Sequence, residues 1–158
     1  MMVMNLNVNL KKNSKKKVLF LCTGNSCRSQ MAEGWCRHFW NDKFECYSAG
    51  TKKHGMNKFA VKVMKDASVD ISSHYSKTTD ELPKVNFDYI ITVCDAAKEV
   101  CPFFHGGKFI HMGFQDPPFL TKDLNDENQI LKIYSQVRDE IKNAIIKLPE
   151  ILETTNED

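Results

Sequence analysis

The sequence lacks a long apolar run, a large excess of either charge and any internal repeat, and no secretory leader is expected from its first residues. Without a long hydrophobic stretch, a transmembrane helix is excluded and no membrane partner is expected. Residues 1–10 are interrupted by Asn5, Asn7 and Asn9, and the lysines come after them, the wrong order for a signal peptide. A cytoplasmic location follows as the expectation. With 22 basic and 20 acidic residues the net charge is only +2, which argues against a nucleic-acid or polyanion surface. The basic surplus is local: Lys11, Lys12, Lys15, Lys16 and Lys17 precede the first apolar segment and read as a solvated arm over residues 1–16.

Tight cysteine pairs are missing too. Six cysteines in a short secreted chain would suggest a disulfide scaffold, but 158 residues at 42% hydrophobic content can build one core without staples. Cys22 to Cys27 and Cys94 to Cys101 are spaced more widely than the pairs of structural zinc sites, so no metal is expected. Redox or catalytic work is the remaining use for these thiols.

What is present begins with residues 22–29, Cys-Thr-Gly-Asn-Ser-Cys-Arg-Ser, between an apolar strand-like run and a helical pattern. A nucleophilic thiol at a strand end, with Arg and Ser closing the segment, suits a tetrahedral oxyanion. The intervening amides can curl around the anion at the start of the helix. Gly24 offers a positive φ, which Asn25 also tolerates better than most residues. Arg28 presents a planar fork matched to two anion oxygens. Cys22 is the candidate nucleophile, with Thr23, Gly24, Asn25, Ser26, Cys27, Arg28 and Ser29 as oxyanion-binding residues. Ser29 is placed to hydrogen-bond the sulfur. Cys27 reads as a small residue supporting the loop, and Cys36 and Cys46 as core.

Periodicity supplies the frame. Strands are expected over residues 18–22, 44–49, 89–93 and 108–111, with helices over 29–40 and 57–67 and a final helix carrying Ile130, Ile133, Val137, Ile141, Ile145 and Leu148. The order βαβαβαβα predicts a three-layer α/β sandwich on a central four-stranded parallel sheet. Its site would lie at the carboxyl ends of the strands, where Cys22, Cys94 and the Asp116 loop emerge. One catalytic domain over residues 17–152 is expected, with a tail at 153–158. Taken alone, Cys94 and Cys101 read more readily as a strand-end core thiol and an incidental loop thiol, and Asp116 as a turn residue before Pro117.

Residues 18–35, VLFLCTGNSCRSQMAEGW, closely resemble the start of the thioredoxin-coupled arsenate reductases, which share the low-molecular-weight tyrosine phosphatase fold, and the resemblance implies a flavodoxin-like topology. Tyr47-Ser-Ala-Gly50, His54-Gly55, Asp70-Ile-Ser72, His74, Thr92-Val-Cys94, Cys101-Pro102, Gly113-Phe114 and Asp116-Pro117 follow in the same order, as do residues 137–141. The resemblance implies a relay. Cys22 attacks arsenate held by the loop and Arg28, Asp116 protonates the departing oxygen, and Cys94 then Cys101 carry the disulfide outward to thioredoxin. It implies no tightly bound cofactor, with reducing equivalents from thioredoxin, arsenate as substrate and phosphate or sulfate as analogues. A phosphatase using only Cys22, Arg28 and Asp116 is the alternative, separated by the Cys94 and Cys101 pair. Six residues between those thiols are too many for adjacent helical turns, so pairing them implies local refolding and a mobile segment over residues 95–100. Asn25, Glu33 and Ser48 match a potassium site known in some members, but Lys77 stands where the family has Asp, so potassium is not predicted.

Overall fold

The computed structural model describes residues 14–96 and 99–157. Four parallel strands, β1 (Lys16–Leu21), β2 (Phe44–Ala49), β3 (Tyr89–Thr92) and β4 (Lys108–His111), form one sheet in the order β2-β1-β3-β4. This is the predicted α/β topology. β1 starts at Lys16, inside the stretch expected as an arm, because Lys16 pairs with Phe44 and the Lys17 amide donates to Asp88 at 2.8 Å. Residues 1–13 of that arm lie outside the described residues.

Register brings the strand ends into one row. Leu21 pairs with Ala49 on one side and Thr92 on the other, and Thr92 pairs with His111. Cys22, Gly50, Val93 and Met112 therefore leave the sheet along a single edge. The chain reverses its order of strand addition between β1 and β3, and at such a switch point the loops diverge and open a crevice. The segments after β1 and β3 border it.

Val18, Leu19, Phe20 and Leu21 are wholly buried, as a central parallel strand requires. One face packs against α1 (Arg28–Trp40), α2 (Lys58–Asp66), α4 (Glu127–Ile146) and α5 (Leu148–Glu157), through Trp35, Val63, Met64, Tyr134, Ile141, Leu148 and Leu152. The other face is covered by Leu82, Val85, Phe87 and Phe104, around a 3-10 turn at Thr79–Glu81.

Three expectations are corrected. Between β3 and β4 the described residues form no helix, and a disulfide takes its place. The last helix is two helices broken at Lys147, since Pro149 has no N–H for the Ile145 carbonyl four residues back. The indole of Trp40 donates to that carbonyl at 2.7 Å instead. The second of these helices continues to Glu157, so the expected tail after residue 152 is helical. A short α3 (Pro117–Leu120), not anticipated, starts at Asp116 with Pro in its first turn, a position that tolerates the missing N–H.

Candidate oxyanion and thiol site

The loop between β1 and α1 is shaped by what its carbonyls bind. The Thr23 carbonyl accepts from the Thr51 and Lys52 amides at 3.0 Å each, and that of Gly24 from the His54 amide at 3.1 Å and the Ser76 hydroxyl at 2.9 Å. Asn25 O accepts from the Gln30 side chain at 3.2 Å, and Ser26 O from the Asn57 amide at 3.2 Å. In a trans peptide the N–H points opposite to the preceding C=O. The N–H groups of Gly24, Asn25, Ser26 and Cys27 therefore point away from the partners that hold the preceding carbonyls.

The positive φ falls on Asn25, at 48°, and not on Gly24. At Gly24 the constraint is different: a Cβ there would overlap the present position of the exposed His54 ring. The wholly buried Asn25 side chain is the brace of the loop. Its amide nitrogen donates to Ser29 Oγ at 2.9 Å and Ser48 Oγ at 3.0 Å, and its oxygen accepts from Gln30 Nε2 and the Lys77 amide, both at 2.9 Å. Ser48 in turn donates to Glu33 at 2.6 Å. Asn25 and Ser29 therefore contribute their side chains behind the loop.

A cavity of about 300 Å³ opens on the other side, lined by Cys22, Thr23, Gly24, Ser26, Cys27, Arg28, His54, Glu99, Asp116 and Pro118. Cys22 is almost fully buried, its sulfur 2.9 Å from Ser29 Oγ. The same oxygen accepts from the Asn25 side chain. Burial pushes the Cys27 thiol well above its ordinary range, with Asp116 and Cys22 adding to the effect, which fits a supporting residue.

Arg28 is 4% exposed and heavily engaged. Its two terminal nitrogens hold the Glu99 carboxylate at 2.6 and 2.9 Å, one of them also reaches the Phe114 carbonyl at 3.1 Å, and Nε lies 3.5 Å from Asp116. Asp116 caps α3 through its backbone position, yet its side chain makes no capping bond and faces Arg28. Burial raises its carboxyl above the usual range; Glu99 adds to the rise, while Arg28 and His54 oppose it. A carboxyl that holds its proton more tightly than usual, beside the candidate nucleophile, is suited to proton donation.

Cys94 and Cys101 are joined by a disulfide with Cα atoms 5.9 Å apart. Cys94 is fully buried just past β3 and Cys101 is half-buried. The expected mobility of residues 95–100 falls partly on Ala97 and Lys98, which lie outside the described residues. His111 approaches this pair, a ligand atom of each of the three lying within 4.8 Å of the others, and its Nδ1 is 2.8 Å from Thr92 Oγ1. With the sulfurs bonded to each other, no thiolates are available there for a metal.

Sequence reasoning leaves Glu99, His54 and His111 without roles in the site. Nothing in their spacing marks them, because each arrives from a separate loop or strand end. A larger cavity, about 540 Å³, lies by Glu33, His74, Tyr75 and Lys77. It holds none of the cysteines. Lys77 Nζ sits 3.9 Å from Glu33 and donates to the Tyr75 carbonyl at 3.2 Å, an ammonium facing the carboxylate behind the loop.

A buried thiol at the end of a central strand, with amides and an arginine around it and an acid opposite, is the arrangement of a phosphatase-type nucleophile loop. Residues 17–157 match the family described as low molecular weight phosphotyrosine protein phosphatase, and the chain belongs to that family. It is 43% identical over 133 residues to an arsenate reductase of Halalkalibacterium halodurans, covering 84% of this chain and 94% of that protein. An arsenate reductase of Bacillus subtilis is 42% identical over 136 residues, 85% of this chain and 96% of its own. Among solved structures, an arsenate reductase in the phosphate-binding state superposes with a TM-score of 0.69 at 28% identity, covering 84% of this chain and 95% of that one. No helix among the described residues is long and apolar enough to cross a membrane.

Proposed function

We propose that this protein is an arsenate reductase in which three thiols work in sequence. The observation that carries the reading is the Cys94–Cys101 disulfide, seated at the end of β3 beside the loop that β1 presents. A phosphatase needs one thiol and an acid; two-electron reduction of arsenic needs a thiol pair that becomes a disulfide. In the overall change a hydrogen arsenate dianion, a pair of thiols and a pair of protons become neutral arsenous acid, a disulfide and a water molecule.

Arsenate rests on the amides of residues 24–27 and on Arg28. The Cys22 thiolate forms an S–As bond, Asp116 supplies a proton, and one oxygen departs as water. Cys94 thiolate then attacks Cys22 sulfur; the S–As electron pair stays on arsenic, which leaves in the +3 state. Cys101 attacks Cys94 sulfur, expels Cys22 as thiolate and leaves the Cys94–Cys101 disulfide. Thioredoxin returns two electrons to that pair, so no tightly bound cofactor is needed. A reducing cytoplasm is the compartment that fits such a cycle.

The test is NADPH consumption in a thioredoxin-coupled assay with wild type and the variants Cys22→Ser, Cys94→Ser and Cys101→Ser. Each substitution should abolish multiple turnover, while Cys101→Ser still releases about one arsenite per protein because the first disulfide can form. Full turnover by Cys101→Ser would remove the third thiol from the scheme. Weak hydrolysis of an aryl phosphate is expected from Cys22, Arg28 and Asp116. Hydrolysis as the dominant activity, with no arsenite formed, would favour the phosphatase reading.

A further inference from the structure

We infer that Glu99 is an internal competitor for the oxyanion: with Cys94 and Cys101 joined, its carboxylate occupies the fork of Arg28 and keeps phosphate or arsenate out. The inference rests on the reading of residues 22–28 as the oxyanion site. It starts from geometry. Both carboxylate oxygens are engaged by the terminal nitrogens of Arg28, at 2.6 and 2.9 Å, in the bidentate pairing that a planar guanidinium makes with carboxylate or phosphate alike. Both Arg28 and Glu99 line the cavity above Cys22. Of the remaining donors on Arg28, Nη1 also serves the Phe114 carbonyl and Nε faces Asp116. A substrate anion and Glu99 cannot use the fork together.

The disulfide is what holds the carboxylate in place. Glu99 lies within the covalent ring closed by Cys94 and Cys101. Inside the ring its N–H donates to the Asp95 carbonyl at 3.0 Å, and its carboxylate accepts from the Asp95 amide at 2.9 Å. Closing the ring raises the effective concentration of Glu99 at Arg28 without any new contact. Opening it by reduction lowers that concentration, and the substrate anion then competes on better terms. Oxidised protein is thus spared futile loading with phosphate while it awaits electrons, and the buried Arg28 charge stays paired after the arsenic has left.

Linkage makes the effect reciprocal: if the disulfide weakens oxyanion binding, the oxyanion must favour the dithiol by the same factor. The experiment titrates inorganic phosphate calorimetrically into oxidised and reduced forms of wild type, Glu99→Gln and Glu99→Asp. It also measures the Cys94–Cys101 redox equilibrium with and without saturating phosphate. Reduced wild type should bind phosphate about ten-fold or more tightly than oxidised, the scale of a charge-assisted bidentate pair. Saturating phosphate should raise the reduction potential by about 30 mV per ten-fold difference in affinity. In Glu99→Gln the oxidised form should gain affinity until the two forms differ by less than about three-fold, with Glu99→Asp between. A full redox difference retained in both variants, or none in wild type, overturns the role of Glu99. If neither wild-type form binds phosphate, the oxyanion site itself is misassigned and both readings fall. Phosphate binding by reduced wild type that is lost in Arg28→Lys upholds the site whatever Glu99 does.

Discussion

Replacing Asn25 by Ala should destabilise the protein by about 2–5 kcal/mol, and the structure separates that cost into two parts. Asn25 makes four side-chain hydrogen bonds, yet most of its partners have others. Ser29 keeps Cys22, Ser48 keeps Glu33, and Gln30 keeps the carbonyls of Asn25 and Tyr75. The Lys77 amide loses its acceptor, and an unsatisfied part-buried donor costs roughly 1–3 kcal/mol. The second part is backbone: φ of 48° lies in the left-handed region, where a Cβ costs about 1–2 kcal/mol and Asn is among the tolerant residues. Asn25→Gly removes the backbone penalty but loses about 0.4–1 kcal/mol through a floppier unfolded chain. Gly should therefore be the better replacement by roughly 0.5–1 kcal/mol, while still falling short of wild type. Urea unfolding of the three proteins, compared at equal m-values, measures this. If Ala equals or exceeds Gly, the left-handed strain is not what selects Asn; a loss below about 1 kcal/mol for both refutes the bracing role.

Two further outcomes are expected. Asp116→Asn should slow the single-turnover step by roughly 10²–10⁴-fold, the range for removing a general acid. The wild-type rate should fall as pH rises through the raised value of this carboxyl, and the variant should lose that fall. Because the folded state binds this proton more tightly than the unfolded chain, stability declines as pH climbs from the unfolded to the folded value, so Asp116→Asn should be the more stable protein at neutral pH; equal stability and rate would dismiss the acid. Gly50→Ala should cost about 1–3 kcal/mol and disturb arsenate binding, since the new Cβ would stand 2.5 Å from Thr23 O and 2.9 Å from both Asn25 N and Cys22 O. Backbone on every side leaves no flexible group to yield, and a variant with wild-type melting and affinity would contradict that packing.

The strands and the first two helices are legible in the sequence because their patterns report burial directly. Residues 18–21 are continuously apolar and lie in the middle of the sheet; Ala32, Trp35 and Cys36 repeat at helical spacing and are buried. The described residues between β3 and β4 defeat the expectation of a helix, since alternation of elements is only a tendency. The break at Lys147 is hidden although Pro149 signals it, because the apolar period runs on across the break.

Sequence by itself pointed to the candidate nucleophile loop: a thiol, a run of small and amide-bearing residues and an arginine are contiguous in the chain, so local backbone geometry brings them together. Cys94, Cys101 and Asp116 could be named because the resemblance carried them, each a candidate at a known strand or loop end. Tertiary structure alone decided that Asn25 takes the left-handed turn, that Gly24 makes room for His54, and that Glu99 lies on Arg28. Those contacts join residues far apart in the chain, or depend on how one loop fills the space left by another. No periodicity or spacing encodes them; they exist only once the parallel sheet has brought the ends of β1, β2 and β3 to a common edge.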